Sequence, residues 1–237
     1  MGSENPNPSH PSPAKFDQFA DRYTALHQQS IAASGESTEY FAEYKIGCLE
    51  RWLGAELDRP ILDYGCGIGS LTKPLSERFR CVHGYDPSKS SLEHARLSAA
   101  RASFFDHPSL LPDDYYGVVV MSGVLHHVPL EQRRDVLKLV ISKLRPGDGR
   151  LVVFEHNPLN PLTRRAVAQC PFDDDAILLW PRAATKLLTA AGLQRVSRRF
   201  IVFFPRALAM LRRFEPRMVA LPLGAQMMLV GTRPATS

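Results

Sequence analysis

Three glycines at alternate positions, Gly65, Gly67 and Gly69, follow Asp63 and precede a second carboxylate, Asp86. Glycine accepts positive φ at little cost and lets a backbone come close to a ligand. A glycine turn that feeds a helix N-terminus presents bare N–H groups to a carboxylate or a ribose. The second acid falls at the ribose-recognition position of nucleotide-binding α/β sheets. The spacing is Gly-x-Gly-x-Gly, which differs from the G-x-G-x-x-G dinucleotide fingerprint. Taken alone, the glycines also fit a plain tight turn between two core elements. Further on, His126-His127 and Glu155-His156-Asn157 bring imidazoles and a carboxylate into short stretches. Such groups exchange protons near neutral pH or hold an acceptor. The run Asp173-Asp174-Asp175 could bind a cation or an amine, or cap a helix.

These residues need elements to position them. Ile61–Asp63 behind Pro60 reads as a short buried strand, and Ser70 or Thr72 would cap the next helix, with Pro74 in its first turn. Val82–Tyr85 reads as a second strand ending at Asp86, with a helix from Pro87-Ser88 to about Ala100. Ser103–Phe105 reads as a third strand, and the apolar run Tyr116–Met121 as a fourth, fully buried one. Its end, Ser122-Gly123-Val124-Leu125-His126-His127, lies at the sheet edge where ligands bind in parallel α/β sheets. A helix over 132–144 and a fifth strand over 150–154 put Glu155, His156 and Asn157 at the same edge. Helix patterns also appear at 15–26, about 39–57 (capped by Ser37 or Thr38) and 181–191. The insertion after strand five shows helix signals at 163–169 and 175–179. Strands are expected at 196–204 and 226–232.

The phrases Ile61–Leu71 and Gly84-Tyr85-Asp86-Pro87-Ser88 followed by Ser91–Arg96 resemble the first two motifs of class I S-adenosylmethionine-dependent methyltransferases, small-molecule type. The resemblance implies a Rossmann-like α/β fold: a seven-stranded, mostly parallel sheet with an antiparallel last strand, helices on both faces and an N-terminal helical lid. It implies S-adenosyl-L-methionine as cofactor, with Asp63, Gly65, Cys66, Gly67 and Gly69 around its methionine end and Asp86, Pro87 and Ser88 at the ribose. Phe105 and Asp106 would meet the adenine, while Ser122 and Gly123 complete the wall. Phe19–Tyr23 resembles the lid helix, whose tyrosine, here Tyr23, reaches over the cofactor; Tyr23 also fits a half-buried core residue. "LHHV" is widespread in the family, and His127 there either holds the following loop or acts as a base. His156 and Glu155 are further base candidates, and His126, Asn157 and Tyr44 would face the acceptor. The family's fourth strand usually starts Phe-Asp, whereas Tyr116-Gly117 stands here.

The 237 residues, 44% hydrophobic and 22% charged, suit one soluble α/β domain with decorations. The expected division is a disordered tail (1–14), a helical lid (15–57) and a methyltransferase domain (58–237) with a cap insertion (157–180) and a basic insertion (205–223). No apolar run approaches the roughly 20 residues that span a bilayer, and no signal-peptide core opens the chain. A cytoplasmic protein is expected, with Cys48, Cys66, Cys81 and Cys170 as thiols and Cys170 in a loop. No zinc spacing appears and no metal is expected. Residues 1–150 carry 17 Lys/Arg against 19 Asp/Glu, and residues 151–237 carry 12 against 5. The basic third holds seven arginines between Arg195 and Arg217, read either as a solvated helix over a sheet edge or as a contact for anionic lipid. Nucleic acid ranks low without aromatic interleaving. Lys45, beside an aromatic helix face, reads as a snorkelling lysine, with a substrate phosphate as the other option.

Methyl transfer to a small-molecule acceptor, O- or N-linked and of glycan- or lipid-linked type, is the expected function, by a monomer or homodimer. The alternatives are a macromolecule methyltransferase using the basic third and a non-catalytic S-adenosylmethionine-binding regulator.

Overall fold

The centre of the sheet is a strand of four buried residues, Ile61–Tyr64 (β1), with parallel neighbours on both sides. The computed structural model describes Asp17, residues 22–54 and residues 59–235, without the side chain of Phe172. The tail and half of the helix expected at 15–26 lie outside these residues. The described helix there is Tyr23–Ser30 (α1). Next come Thr38–Leu53 (α2), β1, Thr72–Arg78 (α3), Val82–Tyr85 (β2), Lys89–Ser98 (α4), Ser103–Phe105 (β3) and Val118–Ser122 (β4). Arg133–Lys143 (α5), Arg150–His156 (β5), Pro161–Ala168 (α6), Pro181–Ala190 (α7), Gln194–Ile201 (β6), Glu215–Met218 (α8) and Gln226–Thr232 (β7) complete the chain.

The seven strands lie in the order β3-β2-β1-β4-β5-β7-β6. All pairs from β3 to β5 are parallel, and β7 runs antiparallel to both β5 and β6. The chain builds outward from β1 on one side, then returns to start β4 on the other. That reversal opens a crevice at the carboxyl ends of β1 and β4, where ligands bind in such sheets.

Both faces are covered, which explains strands that read as continuous apolar runs. Successive side chains alternate between faces. Val119, Met121, Leu151, Val153 and Leu229 belong to a core with Val136, Leu137 and Val140 of α5 and Leu188 of α7. Val120, Val152, Phe154 and Met228 belong to the opposite core with Phe41, Ile46 and Leu49 of α2 and Leu75 of α3. Ser37 caps α2 by accepting the Tyr40 N–H at 3.3 Å, and the helix stops at Gly54 (φ 71°), short of the expected Leu57. No helix among the described residues is long and apolar enough to cross a membrane.

Several expectations change. The residue before α3 is Leu71, and no side chain caps that helix, because the Thr72 hydroxyl turns inward to Asp63 Oδ2 at 2.7 Å. β4 begins at Val118; Tyr116 contributes one isolated bridge to Leu144. No helix forms over 175–179; the insertion instead makes a 3-10 turn at Pro171–Asp173. Cys170 lies in a loop as read, between α6 and that turn, but is only 4% exposed. β6 ends at Ile201, where Val202 takes φ 60°.

The arginine-rich stretch is a kinked 3-10 segment, Arg206–Phe214, leading into α8. Its anchor is Glu215, 4% exposed, which accepts the Phe203 and Phe204 N–H groups at 3.0 Å each and the Tyr44 hydroxyl. Arg212 donates to Glu36 at 2.6 Å and stacks on Tyr40, and Arg199 stacks on Trp52. Part of the basic run is thus clamped onto α2, while Arg206, Arg213 and Arg217 stay exposed.

Candidate active site

The crevice at the switch point contains a cavity of ≈ 210 Å³. Its first wall is the turn after β1. Gly65 has φ 80°, and a Cβ there would fall 2.5 Å from Val124 Cγ2; Gly67 has φ 51° and nothing within 4 Å of its Cβ position. Backbone therefore faces the cavity without a side chain in between. Gly65 and Cys66 donate their N–H groups to the Tyr85 carbonyl at 2.7 and 2.9 Å, tying the turn to β2. Asp86 accepts Gly67 N–H at Oδ2 (2.8 Å) and Ser88 N–H at Oδ1 (2.9 Å). Each oxygen keeps further acceptor capacity. Burial pushes the Asp86 carboxyl up to about 6, against the two backbone donors, and burial does the same for Asp63.

Lys45, from α2, lines the same cavity. Its Nζ donates to Ser122 Oγ at 2.8 Å and sits 5.8 Å from the Phe154 ring centroid. The ammonium does not snorkel to the outer surface. Burial lowers its pKa to about 8, with Asp63 and Glu155 acting in the opposite sense.

The second wall is polar and comes from three segments. His126 and His127 lie in the 3-10 turn after β4, Glu155 and His156 end β5, and Asp173 comes from the insertion. Glu155 is 2% exposed; its Oε1 accepts the Leu125 N–H at 2.8 Å, and its Oε2 lies 2.6 Å from His126 Nδ1. His126 Nε2 lies 3.5 Å and His127 Nε2 3.3 Å from Asp173 Oδ1. Burial opposes charge on His126, yet Glu155 and Asp173 outweigh it and hold the imidazole at about 10. Burial and the neighbouring His126 push His156 down to about 4. The insertion is held over this wall by Ile177 N–H to the His126 carbonyl (2.8 Å) and by Arg133, which bridges the Val128 and Ile177 carbonyls.

The cavity brings together Tyr23, Asp63, Gly65, Cys66, Gly67, Asp86, Pro87, Ser122, Gly123, His126, His127, Glu155 and His156. It does not include the other predicted positions. Gly69 packs against Ala95 and Ser98, and Ser88 caps α4 through Ser91 N–H. Phe105 packs on His83, and Asp106 lies 3.8 Å from Lys89. Asn157 is fully buried and donates to the Pro222 and Gly224 carbonyls, so it ties the insertion to the stretch before β7 and lies outside the cavity. Tyr44 is engaged by Glu215, away from the cavity. Glu155, expected as a base, has one oxygen accepting the Leu125 N–H and the other 2.6 Å from His126 Nδ1. Lys45 and Asp173 join the site although sequence reasoning gave each a plainer role. His27, Thr38 and Phe154 were missed, because helix periodicity marks only the inward face and not what that face meets.

The strand order, the glycine turn and the acid ending β2 define the fold and cofactor wall of class I S-adenosylmethionine-dependent methyltransferases. Residues 61–147 match the methyltransferase domain family. An uncharacterized methyltransferase of Staphylococcus carnosus is 31% identical over 147 residues, 59% of this chain and 65% of that protein. A ubiquinone biosynthesis O-methyltransferase of Aeromonas salmonicida is 34% identical over 44% of this chain and 46% of its own length. The chain thus spans less than two thirds of these curated relatives. A SAM-dependent methyltransferase of Archaeoglobus fulgidus shares the fold with a TM-score of 0.68 at 16% identity, covering 90% of this chain and 100% of that one. The cofactor of this class fits the residues present: an uncovered backbone at Gly67, acceptor capacity at Asp86 and a cavity beside both.

Proposed function

We propose that this chain transfers a methyl group from S-adenosylmethionine to a small-molecule acceptor. One observation carries the reading: the glycine-turn wall and the His126–Glu155–His156–Asp173 wall face each other across one cavity. Bound there, the cofactor supplies an electrophilic methyl group on a positively charged sulfur. The chain's own residues hold and align. Asp86 accepts from ribose hydroxyls, and the turn at 65–67 offers backbone to the amino-acid end. The polar second wall receives the acceptor's nucleophilic group.

Enclosure favours a small acceptor. His27 and Thr38 cover the cavity from the N-terminal segment, which acts as the lid, and Ala166, Val167 and Asp173 cover it from the insertion, which acts as the cap. Burial excludes water, and alignment supplies much of the rate in a displacement of this kind. The O-methyltransferase among the relatives supports an oxygen nucleophile.

Calorimetry with S-adenosylmethionine and its demethylated product tests the premise, and transfer of labelled methyl into acceptor pools tests the rest. Label in a small-molecule fraction is the expected result. Label in protein or RNA would move the acceptor to macromolecules, binding without any transfer would make the chain a regulator, and absence of binding would overturn the reading.

A further inference from the structure

We propose that His126, His156 and Asp173 hold a divalent transition-metal ion at the acceptor end of the cavity. This deepens the reading of the same site and rests on it. One ligand atom from each of the three residues lies within 4.8 Å of the others, although they come from the turn after β4, the end of β5 and the insertion. The 3.5 Å between His126 Nε2 and Asp173 Oδ1 matches the separation of about 3.4 Å expected for two ligand atoms that each bind zinc at about 2.0–2.1 Å in a tetrahedral site.

The second argument is the setting of His126. Its Nδ1 faces Glu155 Oε2 at 2.6 Å, and Glu155 is itself held by the Leu125 N–H. A ligating histidine commonly donates its other ring N–H to a carboxylate, which fixes the tautomer and aims the free nitrogen at the metal. Here the aimed nitrogen is Nε2, on the side of Asp173 and the cavity. Asp173 is fixed too, by the short turn at 171–173 and by the Ile177 and Arg133 hydrogen bonds behind it. His127 Nε2, 3.3 Å from the same Asp173 oxygen, braces that carboxylate.

Two imidazoles and one carboxylate suit zinc, iron(II), cobalt(II) or manganese(II) rather than calcium or magnesium. Three protein ligands leave a coordination position open, which is the pattern of catalytic rather than structural sites. All three residues line the cavity, so an acceptor oxygen fits that position. Coordination lowers the pKa of a bound hydroxyl, so its proton leaves to solvent or to a nearby base and the oxygen becomes a better nucleophile. The acceptor class is therefore a molecule that presents a hydroxyl, and none of the chain's carboxylates needs to act as the base.

The test uses the full-length chain stripped with chelator and titrated with Co2+, read by calorimetry and by the visible absorption of the bound ion. One equivalent should bind per chain. Asp173→Asn and His156→Gln should each weaken binding by at least about 100-fold, and Glu155→Gln by about 10–100-fold. Asp135→Asn, on the exposed face of α5 where it pairs with Lys138, should change nothing. Each variant is also titrated with S-adenosylmethionine, which reports that the fold is intact. Absence of Co2+ binding by the wild-type chain, or binding that survives both ligand substitutions in folded protein, would overturn the proposal. If S-adenosylmethionine binds while Co2+ does not, only this inference falls. If Co2+ binds while S-adenosylmethionine does not, the methyltransferase reading falls and the metal site stands.

Discussion

The two walls of the cavity are built in opposite ways. The first wall is nearly continuous chain: β1, a glycine turn, α3 and the end of β2, all between residues 61 and 88. Its groups are set by local hydrogen bonds such as Asp86 to Gly67 N–H and Asp63 to Thr72. The second wall gathers residues from 126, 155–156 and 173, held by contacts between segments far apart in the chain. A wall made from neighbouring residues can be recognised by spacing. A wall made from distant ones is set by the sheet order and by how an insertion docks. In the function proposed above, this difference matches chemistry: the shared cofactor would meet the contiguous wall, and the acceptor the assembled one.

The largest expected effect strikes both walls at once. Phe154, 1% exposed, lines the cavity between Lys45 and the end of β5. Phe154→Ala should cost about 3–5 kcal/mol of stability, read as the midpoint of denaturant unfolding. An unchanged midpoint would mean that the two walls do not share this floor.

Next, Asp86→Ala should break the first wall alone. Affinity for S-adenosylmethionine should fall about 100-fold, near the 1.5–3 kcal/mol of a hydrogen bond to a charged group. Retained affinity would show that β2 does not end at the ribose. The converse variant is Asp173→Asn. Methyl transfer should fall by at least tenfold (about 1.4 kcal/mol) while cofactor affinity stays within about twofold. A parallel fall in both would erase the distinction between the walls.

A pH titration sharpens the first wall further. Burial raises Asp63 and Asp86 from 3.8 to about 6, so both lose the ionised form as pH drops through 6. Cofactor affinity should be full at pH 7 and decline by up to about tenfold per pH unit below 6 for each proton taken up. Affinity that is flat from pH 7 to 5 would remove these carboxylates from binding. The smallest effect is expected away from both walls. Arg212→Ala breaks the Glu36 pair and the stack on Tyr40 and should cost about 1 kcal/mol, with transfer kinetics unchanged.

Much of the scaffold was legible in the chain. β7 lies at 226–232 as read, β1 to β3 end where the acids and glycines placed them, and the antiparallel end of the sheet followed from the family resemblance. Within the site, the readable residues were those at strand ends, because a strand's carboxyl end in a parallel sheet must face the ligand edge. Helix residues were harder. Tyr44 and Lys45 are adjacent on α2, and periodicity alone cannot say that one turns to Glu215 and the other to Ser122. The insertion was hardest. Its three aspartates offered a capping role, and the helix expected at 175–179 did not form, since Arg133 and the His126 carbonyl take up that backbone instead.

The sequence by itself determined the glycine turn, the two acids around it and the alternation that puts strands between two layers of helix. Those follow from conformational freedom and side-chain periodicity, which act within a few residues. Only the tertiary structure decided that Glu155 pairs with His126, that Asn157 donates to the Pro222 and Gly224 carbonyls, and that Asp173 meets His126 and His156. Those outcomes depend on which buried donors and acceptors find each other once the sheet is closed, and an unpaired buried polar group is too costly to leave the choice open.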